Sequence, residues 1–407
     1  MGEERFSFFM AAFGQEPPVS IRINPRMSVE CRVKSVEFAT APGNSPHDAV
    51  ANSTLYTLHS KLETVPWCRD AYYLDHRPNF TFDPLFHAGC YYVQEAASMF
   101  LDTVLHQHLP SIPLTALDMC AAPGGKSTLL LSALPPGSTL YSNEPVQRRA
   151  SILLENITKW GHPRCIVTNN YPSDYCASKL TFDVILCDVP CSGEGMFRKD
   201  PLTIKEWSPQ NVGKCWRLQR DIVSDAWQCL LPGGLFIYST CTFNTKENEE
   251  NIRWILDNFD AELLTVDTQP EWGIIGSLLP GFDAPVYRFI PGITRSEGLF
   301  MCVLRKGGAK IDNRKTVNLK HLNILSSPLD AQPSSTVVEL PYPQAMAYLR
   351  GEALVLPPST PRGIVSVSFM GHVLGQVKNI GNRANNLYPK EWRVRTTHIP
   401  NEYQPIL

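Results

Sequence analysis

The sequence predicts an α/β protein built on a doubly wound, mainly parallel sheet. Three observations point there. Apolar segments of 4–7 residues alternate with helix-patterned segments through residues 114–306. A turn with two adjacent glycines, Gly124 and Gly125, links the first of those strands to a helix. An acid, Glu144, ends the next strand 19 residues after Gly125, close to where nucleotide-binding α/β folds place a ribose-hydroxyl acceptor.

The elements follow in order. Residues 19–24 (VSIRIN) alternate as a half-buried strand that Pro25 ends. Residues 80–93 are aromatic and turn-rich, and 94–105 carry helical spacing. Strands are expected at 114–120, 139–143, 165–168, 182–188, 235–239 and 298–304. Helices are expected at 126–134, 146–160 and 214–231, the last stopping at Pro232-Gly233-Gly234. Asn244 with Glu247 reads as a capping box that starts a further helix. Residues 307–340 are polar and turn-prone, a linker. A short helix at 343–349 and strands at 364–369 and 372–376 then suggest a small β-rich tail. The division expected is 1–100, 101–306, 307–340 and 341–407.

Composition narrows the function classes. The chain has 407 residues, enough for about two to three domains. Hydrophobic residues at 43% and charged residues at 19% argue for a folded core rather than disorder. No apolar run reaches the roughly 18 residues of a membrane span. The start, MGEERFSFFM, is acidic and lacks a cleavage site, so no secretory leader is expected. A net charge of −2 excludes a globally basic coat but not a local basic face. The 12 cysteines contain no CxxC pair, which speaks against a zinc ribbon and for reduced cytoplasmic thiols.

Three motifs carry chemistry. In the first, DMCAAPGGKS (118–127), the glycines lack Cβ atoms and would let backbone approach a ligand. Taken alone, they also suit a plain tight turn. No Walker A loop and no strict GxGxxG is present. In the second, CDVPCSGEGMFRKD (187–200), an apolar strand delivers Asp188, Pro190 and Cys191 to the sheet edge that binds ligands in open α/β folds. In the third, YSTCTFNTKENEENI (238–252), Cys241 follows a strand and precedes a helix start, where free N–H groups would favour a thiolate.

In this order, with 53 residues between Asp188 and Cys241, the trio resembles the Sun-type RNA 5-methylcytosine methyltransferase family. The upstream segments SIRIN (20–24) and GCYYVQEA (89–96) resemble it too. The tail, LGQVK (374–378) and NLYPKEWR (386–393), is similar to the PUA-like RNA-binding end of bacterial RsmF-type enzymes, which methylate small-subunit ribosomal RNA. The resemblance implies a Rossmann-like methyltransferase sheet between an N-terminal α/β RNA-binding region and a PUA-like C-terminal domain. It implies S-adenosylmethionine as cofactor, held by Cys120, Ala121, Ala122, Pro123, Gly124, Gly125 and Lys126, with Glu144 on the ribose and Asp188 near cofactor and base. Cys241 matches the nucleophile, and Cys191 the cysteine associated with product release. It further implies an RNA partner, in ribosomal RNA or an assembling subunit, a cytoplasmic monomer, and no metal. A tRNA methyltransferase and a non-catalytic RNA-binding assembly factor are the alternatives. A DNA-type enzyme would place its nucleophile at Cys191.

The family often carries an acid after the third strand. Here Tyr171 stands at that place, with Asp174 the nearest substitute. The N-terminus also reads as short, as though an initial helix were absent. Independently of the family, residues 362–407 hold six basic residues against Glu391 and Glu402. Tyr388, Trp392 and Tyr403 lie among them, available for phosphate contact and base stacking.

Overall fold

The computed structural model describes residues 2–27, 62–308, 318–326, 334–396 and 398–406. Alternating apolar runs build a central eight-stranded sheet. Its strands are β4 (Thr115–Asp118), β5 (Thr139–Asn143), β6 (Cys165–Thr168), β7 (Phe182–Asp188), β8 (Leu230–Thr240), β9 (Ala261–Leu263), β10 (Val286–Phe289) and β11 (Leu299–Lys306). The order is β10-β11-β8-β7-β4-β5-β6, with β9 paired to β11. β4 to β8 run parallel, and β9 to β11 add an antiparallel edge. β7 (FDVILCD) is buried on both faces along nearly its whole length, which is why it reads as a continuous apolar run rather than an alternation.

The helix Gln147–Trp160 buries Ala150, Leu153, Ile157 and Trp160, a single stripe, and Gly161 ends it at φ 70°. The long helix starts at Pro209, five residues before the expected 214, because Ser208 caps it. The helix ends at Cys229, just before the expected stop at Pro232-Gly233-Gly234. β8 runs through it from Leu230, and a Cβ at Gly234 would stand 2.7 Å from the Leu231 carbonyl oxygen, so glycine is required there.

Two smaller sheets flank the centre. β1 (Val19–Ile23), β2 (Ala71–Leu74) and β3 (Tyr91–Val93) form an antiparallel sheet in the order β2-β1-β3. β12 (Val337–Glu339), β13 (Gly363–Phe369), β14 (His372–Asn379) and β15 (Ala384–Asn386) form the tail sheet, with the helix Tyr342–Leu349 on it. These two sheets are not independent. Ile21, Phe80, Leu85 and Tyr91 share one core with Tyr342, Leu349, Val367 and Tyr388. The Tyr342 hydroxyl donates to the Phe82 carbonyl.

The described part of 307–340 also departs from a free linker. Leu325 donates its N–H to Val167, and Asn323 exchanges hydrogen bonds with Asn169 and Asn170, so 318–326 lie along β6. Residues 309–317 and 327–333 of that expected linker are outside the described residues. A helix unanticipated in the sequence, Glu3–Ala12, packs Phe9 edge-on against Phe243, 5.2 Å between ring centres.

Candidate active site

The site lies at the C-terminal ends of β4, β5, β7 and β8. β4 and β7 are neighbours whose following helices diverge, the switch point where open α/β sheets bind ligands. β4 ends in Asp118, and residues 119–124 turn into the helix Gly125–Ala133. Backbone and side-chain bonds strap this loop down. Ala121 donates to the Asn143 carbonyl at 2.8 Å, Arg149 donates to the Ala122 carbonyl at 2.9 Å, and Asn156 to the Pro123 carbonyl at 2.8 Å.

The glycines also serve the packing of the loop. Gly124 sits at φ 114°, and its missing Cβ would meet Leu153 at 3.2 Å. A Cβ at Gly125 would meet Tyr92 at 3.3 Å. Both Cβ positions face protein, so the glycines allow close packing of the loop. The thiol of Cys120 is buried, and that burial pushes its pKa well up, so it stays protonated.

Two buried carboxylates have open acceptor positions here. Glu144 is fully buried at the end of β5. Its Oε1 accepts the Val146 N–H at 3.0 Å; its Oε2 lies 3.2 Å from Arg149 Nη1 without hydrogen-bond geometry. Asp118 Oδ2 accepts from Ser127, but Oδ1 has no partner. Burial raises the Asp118 pKa to about 7, opposed by the Ser127 hydrogen bond. A buried acceptor without a donor is costly. Glu144 Oε2 beside the 120–126 loop therefore fits a ligand that brings hydroxyl donors, as a ribose does.

β7 and β8 carry the reactive groups. Lys126 donates to Asp188 Oδ2 at 2.8 Å and Ser239 to Oδ1 at 2.7 Å. Lys126, expected among the cofactor contacts, is thus bonded to Asp188 across the turn. Cys191 and Cys241 bring their sulfurs within 3.2 Å. Hydrogen bonding from Cys191 lowers the Cys241 pKa, helped by the Lys126 ammonium and opposed by burial and Asp188. The same contact, with burial, pushes Cys191 well up. Of the two thiols, Cys241 is the one that gives up its proton more readily.

The expected cause of that activation is different in the structure. The following helix begins at Glu249, eight residues after Cys241, and Asn248 supplies no side-chain cap. Asn244 does receive the Glu247 N–H, at 2.9 Å, but the result is a turn. The influence of a helix terminus fades within one turn, so Cys191 and Lys126 do what the helix start was expected to do.

Two further expectations change. Tyr171 is 69% exposed, and Asp174 accepts the Tyr171 N–H at 2.8 Å to cap its own helix. Tyr388 and Trp392 are buried, and Tyr403 packs on Tyr342 and Phe369. They are core aromatics, not a stacking platform. The tail cations Arg362, Lys378, Arg383, Lys390 and Arg395 do stay exposed. Among the described residues, no three His, Cys, Asp or Glu side chains group as a metal site, and no helix is long and apolar enough to cross a membrane.

Residues missed by sequence reading include Arg22, which is buried under the loop. It donates to Gln94 Oε1 at 3.0 Å and to Thr128 Oγ1 at 2.5 Å, and lies 4.7 Å from the centre of the Trp160 ring. The only available signal was its place between two apolar strand residues.

Known proteins agree with this arrangement. The family model of the 16S rRNA methyltransferase RsmB/F matches residues 110–305, the RsmF PUA domain matches 335–394, and the N-terminal domain of RsmF matches 43–96. The small-subunit ribosomal RNA methyltransferase F of Pectobacterium atrosepticum is 35% identical over 258 residues, 61% of this chain and 52% of that protein. The chain thus spans about half the length of the curated relatives it matches. Among solved structures, a methyltransferase homologue from Pyrococcus horikoshii is 26% identical with a TM-score of 0.58, covering 74% of this chain and 91% of that one. NSun6 from the same organism, solved with an S-adenosylmethionine analogue, is 20% identical with a TM-score of 0.57, over 76% and 96%; that likeness supports the fold. With motif order, sheet topology and three consecutive family matches in agreement, the chain is similar to the RsmB/F 16S rRNA methyltransferases across residues 43–96, 110–305 and 335–394.

Proposed function

We propose that the chain transfers a methyl group from S-adenosylmethionine to carbon 5 of a cytosine in small-subunit ribosomal RNA, through a covalent adduct on Cys241. The observation that carries this reading is the Cys191–Cys241 sulfur pair at 3.2 Å, beside Lys126 and Asp188. S-adenosylmethionine supplies an electrophilic methyl on a sulfonium. The 120–126 loop and the open Glu144 carboxylate are the groups to hold it.

The chemistry requires a thiolate because carbon 5 of cytosine is a poor nucleophile. The Cys241 sulfur adds at carbon 6, and the electron pair of the 5,6 double bond becomes available at carbon 5. Charge that spreads toward N3 would be neutralised by a proton passed through Asp188, which Lys126 holds at 2.8 Å. Carbon 5 takes the methyl as its bond to sulfur breaks. The proton on carbon 5 is then taken up by a water, with Cys191 assisting its removal. The pair from that C–H bond expels Cys241 as thiolate. The base must leave its stack to be reached this way. Ribosomal RNA as substrate places the protein in the cytoplasm.

The test compares 5-methylcytosine maps of ribosomal RNA from a strain lacking the gene and its parent, with add-back of variants. One small-subunit site is expected to vanish and to return with the native chain but not with Cys241→Ala. Cys191→Ala is expected to accumulate a protein–RNA adduct. If no ribosomal site changes, the substrate assignment fails and tRNA is tested next. If Cys241→Ala restores full methylation, the thiol mechanism fails.

A further inference from the structure

The two cysteines sit on different loops, and both loops are short of regular structure where the sulfurs meet. Cys191 leads into Ser192-Gly193-Glu194-Gly195 after β7. Cys241 leads into Thr242-Phe243-Asn244 after β8. Their register is fixed by two buried carboxylates. Glu194 Oε2 accepts the N–H groups of Phe243 at 2.7 Å and Asn244 at 2.9 Å. Its Oε1 accepts from Trp207 Nε1 and Asn244 Nδ2, each at 3.0 Å. Glu247 works in the opposite direction. Its Oε2 accepts the Ser192 N–H at 3.0 Å and Gln219 Nε2 at 2.7 Å, and its Oε1 accepts Asn244 Nδ2 at 2.8 Å. Gln219 also donates to the Pro190 carbonyl at 2.9 Å.

Each carboxylate therefore belongs to one cysteine loop and takes backbone N–H groups from the other. Asn244 joins the two. The donors in this set are neutral: amides, an indole and the Ser192 hydroxyl. A buried carboxylate held this way accepts several hydrogen bonds at fixed angles, which sets geometry more strictly than a single ion pair. The loops touch directly as well: Gly195 donates to the Cys241 carbonyl at 2.7 Å.

We propose that Glu194 and Glu247 are positioning residues that clamp the two cysteine loops together and so hold the Cys191 and Cys241 sulfurs in contact. The proposal rests on the reading of these cysteines as the reactive pair, and it adds what keeps them paired. The groups that face Cys241 are Cys191 from the β7 loop, Asp188 from the end of β7, and Lys126 from the helix Gly125–Ala133. The clamp acts on the first of these.

The sign of one substitution separates positioning from simple electrostatics. Glu194→Gln removes a negative charge near a thiolate, which by itself favours the thiolate and moves the Cys241 titration down. It also turns an amide N–H toward existing donors, because both oxygens of Glu194 are acceptors here. That loosens the clamp, removes the Cys191 donor and moves the titration up.

The experiment measures the rate of Cys241 alkylation by iodoacetamide against pH in the full chain, resolved by mass spectrometry of the Cys241 peptide. Glu194→Gln and Glu247→Gln are each expected to move the midpoint to higher pH. Alkylation at neutral pH should then fall about tenfold for every pH unit by which the midpoint rises. In a Cys191→Ala background the same substitutions are expected to produce no further rise, since the contact they maintain is already gone. Asn244→Ala, which cuts the link between the carboxylates, gives the same rise and serves if a Glu variant does not fold. An unchanged or lower midpoint overturns the proposal, and so does an equal rise without Cys191. The readout needs no RNA, so it can succeed while ribosomal methylation fails, and the two ideas fall separately.

Discussion

At the scale of single residues, burial decides which groups are reactive. Cys241 has its pKa moved down, by the hydrogen bond from Cys191. Cys120, Cys187 and Cys302 are buried in apolar surroundings and pushed up. Asp118 offers a pH test. Its folded pKa of about 7 exceeds the ordinary carboxylate value of 3.8. The folded state then holds a proton that the unfolded state has lost, and stability falls as pH rises through that window. Asp118→Asn still accepts from Ser127 and should flatten this slope, which approaches about 1.4 kcal/mol per pH unit for one group. Urea unfolding of both chains at pH 5 and pH 8 checks it; equal losses in the two chains would refute the assignment.

At the scale of elements, the catalytic edge depends on how closely two loops and one strand approach. A Cβ at Gly195 would stand 2.3 Å from the Cys241 carbonyl oxygen and 3.1 Å from that of Gly298. Gly195→Ala must therefore move the Cys241 loop. A displacement near 1 Å costs on the order of 100-fold in rate, with overpacking of roughly 1–3 kcal/mol. Methylation rate and urea midpoint together measure both. Arg22 makes the corresponding connection between β1 and the helix Gly125–Ala133. Burial lowers its pKa to about 10. Arg22→Lys keeps the charge but not the planar fork that reaches Gln94, Thr128 and the Gly125 carbonyl. Loss of those bonds should cost about 1–3 kcal/mol, read as a lower urea midpoint. An unchanged midpoint would mean that Arg22 is not holding the loop.

At the scale of the whole molecule, the first sheet and the tail behave as one body. The Tyr403 hydroxyl donates to Asp83 at 3.2 Å, and the helix Tyr342–Leu349 lies on the segment around Phe80–Phe86. Deleting 334–407 would expose Ile21, Phe80, Leu85 and Tyr91 rather than release an independent tail. The truncated chain should show faster proteolysis within 62–100 and a lower melting temperature, not just weaker RNA binding. Unchanged protection of 62–100 would show that the shared core contributes nothing.

The sequence by itself determined the parallel sheet and the residues that matter. Strands buried on both faces, such as β7, are continuous apolar runs, and local chemistry starts and stops the helices around them. The bounds 139–143, 165–168 and 182–188 were legible for that reason. Cys191, Cys241, Asp188 and Glu144 stood out because each lies at or just past the end of an apolar strand; the roles expected of them came from the family resemblance. Tertiary structure alone decided how those residues work. Lys126 meets Asp188 across 62 residues, the two sulfurs meet across 50, and Glu194 reaches Asn244 across 50. Tyr388 packs on Tyr348 and Trp392 in a core that the tail shares with Ile21 and Phe80, more than 300 residues upstream. Periodicity reports one element's own faces. It carries no information about which distant element will cover them, and charge, pKa and exposure are set by that partner.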